Sequence, residues 1–237
     1  MNEQLLGNAT WTDMATTATT AATASVRPIL AVPIGSCEQH GPHLPLDTDT
    51  RIACAVATGL AATVPKVVVT PPIGISASGE HAGFAGTLSI GTTALEMVLV
   101  ELARSADWSA GVVFVNGHGG NHTSVLAATA ILVAEGRNVL AWSPSTAGGD
   151  AHAGRTETSL MLSIAADTVR VGAAQPGRTE PLGELLPLLR RSGVAHVSPN
   201  GVLGDPTGAT AQEGAALLAA LVDDLVARVT AWLQRVP

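Results

Sequence analysis

The sequence predicts an α/β fold: a mainly parallel central sheet covered by helices on both faces, in a single domain over residues 1–237. Three observations carry this. Short apolar runs closed by Gly, Pro or polar residues recur at 27–35 (RPILAVPIG), 66–70 (KVVVT), 111–115 (GVVFV) and 137–142, as strands buried on both faces do. Between them lie longer segments with apolar residues at three- and four-residue spacing, the helical period. Strands alternating with helices imply right-handed crossovers and a parallel sheet. The composition suits a large aliphatic core, with 46% hydrophobic residues, 13% charged, 3% aromatic and no Tyr.

Taken in order, residues 1–26 form an N-terminal arm. Thr12 can cap a short helix anchored by Trp11, and the Ala/Thr-rich stretch 15–24 reads as loosely packed. After the first strand, Asp49 can cap a helix reaching Thr63, with Ile52, Val56 and Leu60 on one side. The segment 73–93 is Gly- and Ser-rich and too long for a simple connector, which marks it as a functional loop, a lid or a substrate wall. A helix follows to about Trp108, with Leu95, Val98, Leu99 and Leu102 towards the core. The third strand runs into NGHGGNH at 116–122 and a helix over 122–135. The fourth strand is followed by GGDAHAGRTET (148–158), which brings Asp150, His152 and Glu157 just ahead of the helix SLMLSIA. A short helix near 182–191 and an amphipathic one over 210–234, with Leu217, Leu221, Leu225 and Val229, complete the chain.

Polar residues able to do chemistry cluster after these strands. The segment 35–51, GSCEQHGPHLPLDTDTR, holds Glu38 and His40 two apart, so on an extended chain they face the same way. Asp47 and Asp49 follow a Gly-Pro-His-Leu-Pro turn that folds the chain back. His40, His43, His118, His122 and His152 all lie in the strand-end clusters, while His196, alone beside apolar residues, reads as structural. Ligands of parallel sheets bind beyond the carboxyl ends of the strands. Together with Glu38, Asp49 and Glu157, these histidines point to a metal site there, and mixed carboxylate and imidazole donors suit Zn²⁺, Mn²⁺ or Fe²⁺. Glu80 and His81 on the long loop are candidates for substrate contact.

Other classes are disfavoured. A net charge of −7 with 12 Lys and Arg leaves no basic patch for nucleic acid or an anionic membrane. Cys37 and Cys54 make neither a disulfide framework nor a thiolate zinc site. NGHGGN lacks the Lys of a phosphate-binding loop, and no G-x-S-x-G elbow supports a serine nucleophile. The N-terminus lacks the features of a signal peptide and no apolar run reaches a membrane span, so the expected compartment is the cytoplasm.

The order GSCEQHGPHLPLDTDT, GEHAGFAGTLSIGT, FVNGHGGN, HAGRTETSLML resembles the creatininase family of metal-dependent amide hydrolases, over about residues 28–235. That resemblance implies a single-domain three-layer sandwich, homo-oligomeric assembly (a hexamer or similar) and two divalent metal ions per subunit. It implies Glu38 and His118 on one ion, His40 on the other and Asp49 between them, with Asp47 and His43 in support and His152 as a proton-transfer group. Creatininase itself carries a glutamate ligand two residues after the NGH histidine, where this chain has Gly120; Glu157 is expected to complete that shell and serve catalysis. PLDTDTRIA, SGEHAGFAGT and GVLGDPTGATAQEG resemble a subgroup whose substrate is a modified ribosomal precursor peptide, trimmed of a C-terminal Val-Tyr dipeptide. The rival readings are hydrolysis of creatinine, another small cyclic amide or a formamide, and a non-catalytic metal-binding regulator.

Overall fold

The computed structural model describes residues 4–19, 27–144 and 149–235. Its centre is a four-stranded, wholly parallel sheet in the order β2-β1-β3-β4, built from β1 (Ile29–Ile34), β2 (Val67–Val69), β3 (Gly111–Asn116) and β4 (Val139–Trp142). β1 pairs with β3 along its whole length, from Ile29 opposite Gly111 to Ile34 opposite Asn116. Successive side chains on a strand face opposite ways, and each strand serves two cores. Leu30, Val32 and Ile34 with Val112 and Phe114 meet Leu95, Leu99, Val125, Ala128 and Leu132. These come from α3 (Gly91–Ser105) and α4 (His122–Ala134). Ile29, Ala31, Val113 and Val115 meet Val56, Ala57, Leu60, Leu225 and Val229, from α2 (Thr48–Thr63) and α8 (Ala211–Leu233). This is the expected three-layer arrangement.

A third cluster of Ile52, Ala153, Leu160 and Met161 packs α5 (Arg155–Ala165) beside α2. α8 crosses α5 so closely that a Cβ on Gly214 would enter the Ser159 carbonyl. The Thr210 hydroxyl caps α8 by accepting from Glu213 N at 3.1 Å. α6 (Leu182–Ser192) and the four-residue α7 (Val194–Val197) lie between α5 and α8.

Several local expectations are corrected. The first helix, α1 (Trp11–Thr19), is capped by Thr10, not Thr12: Asp13 accepts from Thr10 N at 2.7 Å, and the Thr10 hydroxyl accepts from Asp13 N at 3.3 Å. Trp11, the expected anchor, is 80% exposed. The arm is not loose throughout, because Leu5 bridges to Val69 at the sheet edge and Gln4 Nε2 donates to Ala61 O; residues 1–3 and 20–26 of that arm lie outside the described residues, as do 145–148. Asp49 does not cap α2. Asp47 is the residue before the helix and Asp49 sits buried in its first turn. Glu157 likewise belongs to the first turn of α5, and Asp150 caps that helix through Arg155 N and Thr156 N. Val98 and His196 are exposed. Among the described residues no helix is long and apolar enough to cross a membrane.

Candidate metal centre

All the parallel strands end at one edge of the sheet, and their loops converge there. The loop after β1 supplies Glu38, Gln39 and His40, and α2 returns Asp49. The loop after β2 supplies Glu80 and His81, β3 leads into His118, and the segment after β4 brings His152 and Glu157. Asn121 ties three of these loops together. Its Oδ1 accepts from Ala77 N at 3.1 Å, and its Nδ2 donates to Gly35 O at 2.9 Å and Asn116 Oδ1 at 3.2 Å. The long loop after β2 is stitched to the Glu38 loop by an antiparallel bridge from Leu88 to Cys37, with Leu88 N donating to Cys37 O at 2.8 Å.

Glu38, His40, Asp49, His81, His118 and His152 are buried, while the Glu157 side chain is 22% and the Glu80 side chain 36% exposed. Glu38, His40 and Asp49 bring one donor atom each within 4.8 Å of one another; so do His40, His152 and Glu157, and so do Glu38, His81 and His152. Asp49 turns one oxygen to each of two rings, Oδ1 at 3.1 Å from His40 Nε2 and Oδ2 at 3.0 Å from His118 Nδ1, and Ser36 Oγ donates to Oδ2. Asp49 thus links the two rings through separate oxygens. His118 Nε2 lies 3.0 Å from Ala77 O, 3.2 Å from Glu38 Oε2 and 3.4 Å from Glu80 Oε1.

The donor set fits divalent cations. Both Glu38 oxygens are buried without a hydrogen-bond partner, although His81 Nε2 and His118 Nε2 approach within 3.2 Å. A buried carboxylate left so is costly unless a cation neutralises it. The protonation pattern reflects this. Burial pushes Glu38 up to about 8 and Glu157 up to about 7. Burial opposes charge on His40, but Asp49, Glu157 and Glu38 outweigh it and hold the ring at about 10. Burial draws His81 down to about 4, and burial with the charge on His40 holds His152 well below its ordinary value. Of the four histidines in the pocket, only His40 and His118 are thus held in their charged form, against Asp49.

The remaining candidates sort unevenly. His122 is exposed on α4 and stands outside the cluster, whereas His81, expected on the long loop as a substrate contact, is buried in the cluster beside Glu38 and His152. Asp47, expected behind the ligands, is half-exposed and accepts from Arg51 Nε at 2.8 Å. Two residues, a little over half a turn of helix, separate its direction from that of Asp49. His43 is buried and its Nε2 meets the Thr158 hydroxyl at 2.9 Å, beside Glu157. Glu157 accepts from Ala153 N at 2.6 Å and lies 3.9 Å from His40 Nε2. Ala153 has φ +52°, a costly left-handed conformation that aims its N–H at that carboxylate. Gly120 has a physical reason: a Cβ there would collide with Glu80 Oε1 and His118 Nε2 and lie 2.7 Å from Ala77 O. The Glu80 carboxylate fills the room a side chain at 120 would need. Gln39 and Ser36 were missed; Gln39 differs from its neighbours only in lacking charge, which gives no sequence signal.

A buried cluster of carboxylates and imidazoles at the carboxyl edge of a parallel sheet defines an α/β protein of metallohydrolase type. The sequence profile described as creatinine amidohydrolase matches residues 9–229. The chain belongs to the creatininase family, and it is an enzyme, a metal-dependent hydrolase of carbon–nitrogen bonds. It is 52% identical over 226 residues to the mycofactocin precursor peptide peptidase of Mycobacterium ulcerans, covering 91% of this chain and 90% of that one. It is 53% identical over 215 residues to the protein of the same name from Mycolicibacterium smegmatis, covering 88% and 87%. Among solved structures, creatinine amidohydrolase (creatininase) superposes with a TM-score of 0.81 at 21% identity, covering 99% of this chain and 98% of that one. A putative creatinine amidohydrolase from Bacteroides fragilis gives 0.73 at 18%, covering 96% and 95%. Titles of two further creatininase structures name zinc and manganese.

Proposed function

We propose that this enzyme is a peptidase that removes the C-terminal Val-Tyr dipeptide from a modified ribosomal precursor peptide in mycofactocin biosynthesis. The observation that carries the reading is identity of 52–53% over about nine tenths of both chains to peptidases of that name, against 21% to creatininase. Glu38, His40, Asp49, His118 and Glu157 are the residues that would hold two divalent ions, zinc, iron or manganese. Bound cations would supply a water of lowered pKa and a polarised carbonyl.

The protein's own groups do the rest. Glu38 and Asp49 fix the charge of the pocket, and Ser36 orients Asp49. His152, neutral and within 4.0 Å of Glu38 through Nδ1, is placed to take a proton at that atom and pass it to the leaving nitrogen. Glu157, held by Ala153 N, assists at the same end. Glu80, partly exposed at the mouth, meets the substrate, with His81 behind it. We further propose that the 237 residues act as one domain, that the protein works in the cytoplasm, and that exposed Ile75, Leu88, Ile90 and Met97 take part in a homo-oligomer.

The test is incubation of the metal-loaded protein with a modified peptide ending in Val-Tyr, and in parallel with creatinine, with products followed by mass spectrometry. Release of Val-Tyr is expected. Turnover of creatinine with the peptide left intact would overturn the assignment in favour of the small cyclic amide.

A further inference from the structure

Gln39 lies between two of the histidines that flank Glu38 and is 6% exposed. Its amide can be oriented without ambiguity, because both ends meet the main chain. Gly41 N donates to Oε1 at 2.9 Å, and Nε2 donates to Gly201 O at 3.0 Å. A backbone N–H cannot accept and a carbonyl cannot donate, so oxygen and nitrogen cannot be exchanged. Gly201 has φ +80°, and a Cβ there would collide with the Gln39 amide, so the amide is clamped as well as oriented.

The same hydrogen-bond logic then assigns the rings. His152 Nε2 lies 2.8 Å from the main-chain carbonyl of Gln39. That oxygen only accepts, so His152 carries its proton on Nε2 and leaves Nδ1 bare, facing Glu38 Oε1 at 4.0 Å. The second Gln39 Nε2 hydrogen has two nitrogens in reach, His81 Nδ1 at 2.9 Å and His152 Nε2 at 3.0 Å. Since the latter is protonated, the hydrogen goes to His81 Nδ1. His81 is therefore also protonated on Nε2, but that atom is the one facing Glu38 Oε1, at 3.2 Å. The two rings share a tautomer and present opposite ends to the site.

We propose that Gln39 is the positioning residue that sorts these histidines: through its carbonyl it leaves His152 Nδ1 as a lone pair for the reaction, and through its amide it keeps the His81 proton on Nε2, the atom 3.2 Å from Glu38 Oε1, so that this ring is not a metal ligand. The inference rests on the metallohydrolase reading of the site and is independent of which amide is cleaved. It separates two rings that donor distances alone make equivalent, and it gives the residue between Glu38 and His40 a task.

The test is long-range ¹H–¹⁵N correlation on the full-length protein with ¹⁵N-labelled histidine, both metal-free and zinc-loaded. Both His81 and His152 are expected as Nε2–H tautomers, with His81 keeping its Nε2 proton when zinc is added. Gln39→Glu is isosteric but cannot donate, so His81 is expected to move its proton to Nδ1 while His152, held by the main chain, stays as it was. Finding Nδ1–H on either ring of the wild-type protein, coordination of zinc by His81 Nε2, or an unmoved His81 proton in Gln39→Glu would overturn the proposal. The wild-type spectrum decides even where the variant does not fold, and failure of peptide cleavage would leave the tautomers standing while removing only the substrate.

Discussion

Gly120→Ala tests how tightly the mouth of the site is built. The added Cβ would lie 2.7 Å from Ala77 O and closer still to Glu80 Oε1 and His118 Nε2. Glu80 can swing out, since its side chain is 36% exposed, but His118 is wedged between Asp49 and the Ala77 carbonyl. To reach an ordinary contact the Ala77 carbonyl would have to retreat by about 0.7 Å or more, and overpacking of this kind costs about 1–3 kcal/mol. In a chain of this length each kcal/mol lowers Tm by roughly 2–4 °C. Catalysis should suffer more. Glu80 leaves the pocket and His118 tilts away from Asp49, and misplacement approaching 1 Å costs on the order of 100-fold in rate. Thermal melting, metal content by mass spectrometry and cleavage rates on the Val-Tyr peptide measure the three effects. Because part of the collision is with Glu80 itself, Glu80→Ala combined with Gly120→Ala should be less than additive in stability. If Gly120→Ala keeps wild-type Tm, metal content and rate, the claim that Glu80 fills the room left by Gly120 is wrong.

Glu38→Gln should abolish uptake of at least one ion, and it should flatten the pH dependence of the metal-free protein. In the wild type, folded Glu38 holds its proton up to about 8 while the unfolded chain releases it in the usual carboxylate range, so the stability Glu38 contributes is greatest in acid and is lost as pH rises towards 8; melting of both proteins in chelator from pH 5 to 9 measures the difference, and parallel curves would refute it. Gly214→Ala should lower Tm by several degrees through overpacking where α5 crosses α8, and an unchanged Tm would show that the crossing can relax.

The sheet and its layers were legible because a strand buried on both faces has to be an apolar run, and runs such as ILAVPI have no other reading in a chain this poor in aromatics. The convergence of three polar clusters followed from topology, since parallel strands all release their loops at one edge. Direction within a turn was not legible. Asp47 and Asp49 are equivalent in sequence, yet α2 begins between them, and the 3.6-residue turn sends Asp49 inward and Asp47 to Arg51. The same turn exposes His122 at the start of α4. His81 reaches the cluster through a short 3-10 turn, Gly79–His81, on the long loop that also bridges to Cys37 at Leu88, a long-range arrangement that no local pattern encodes.

These differences share a cause that bears on how the site works. Glu38 and His40 sit on the loop that leaves β1, and Asp49 on α2, so this group hangs from elements packed into the cores. Glu80 and His81 sit on a loop held by main-chain bonds to the Glu38 segment, and His152 and Glu157 hang from a strained Ala153. Charge is concentrated in the rigid group, where Asp49 is held well below its ordinary range despite its burial by His40 and His118. Groups whose protonation or partner must change during a reaction belong on the other two arms, where small backbone adjustments do not disturb the sheet. Glu80, the most exposed acid of the cluster, stands at the end of one such arm, so solvent reaches its carboxylate before it reaches Glu38 or Asp49.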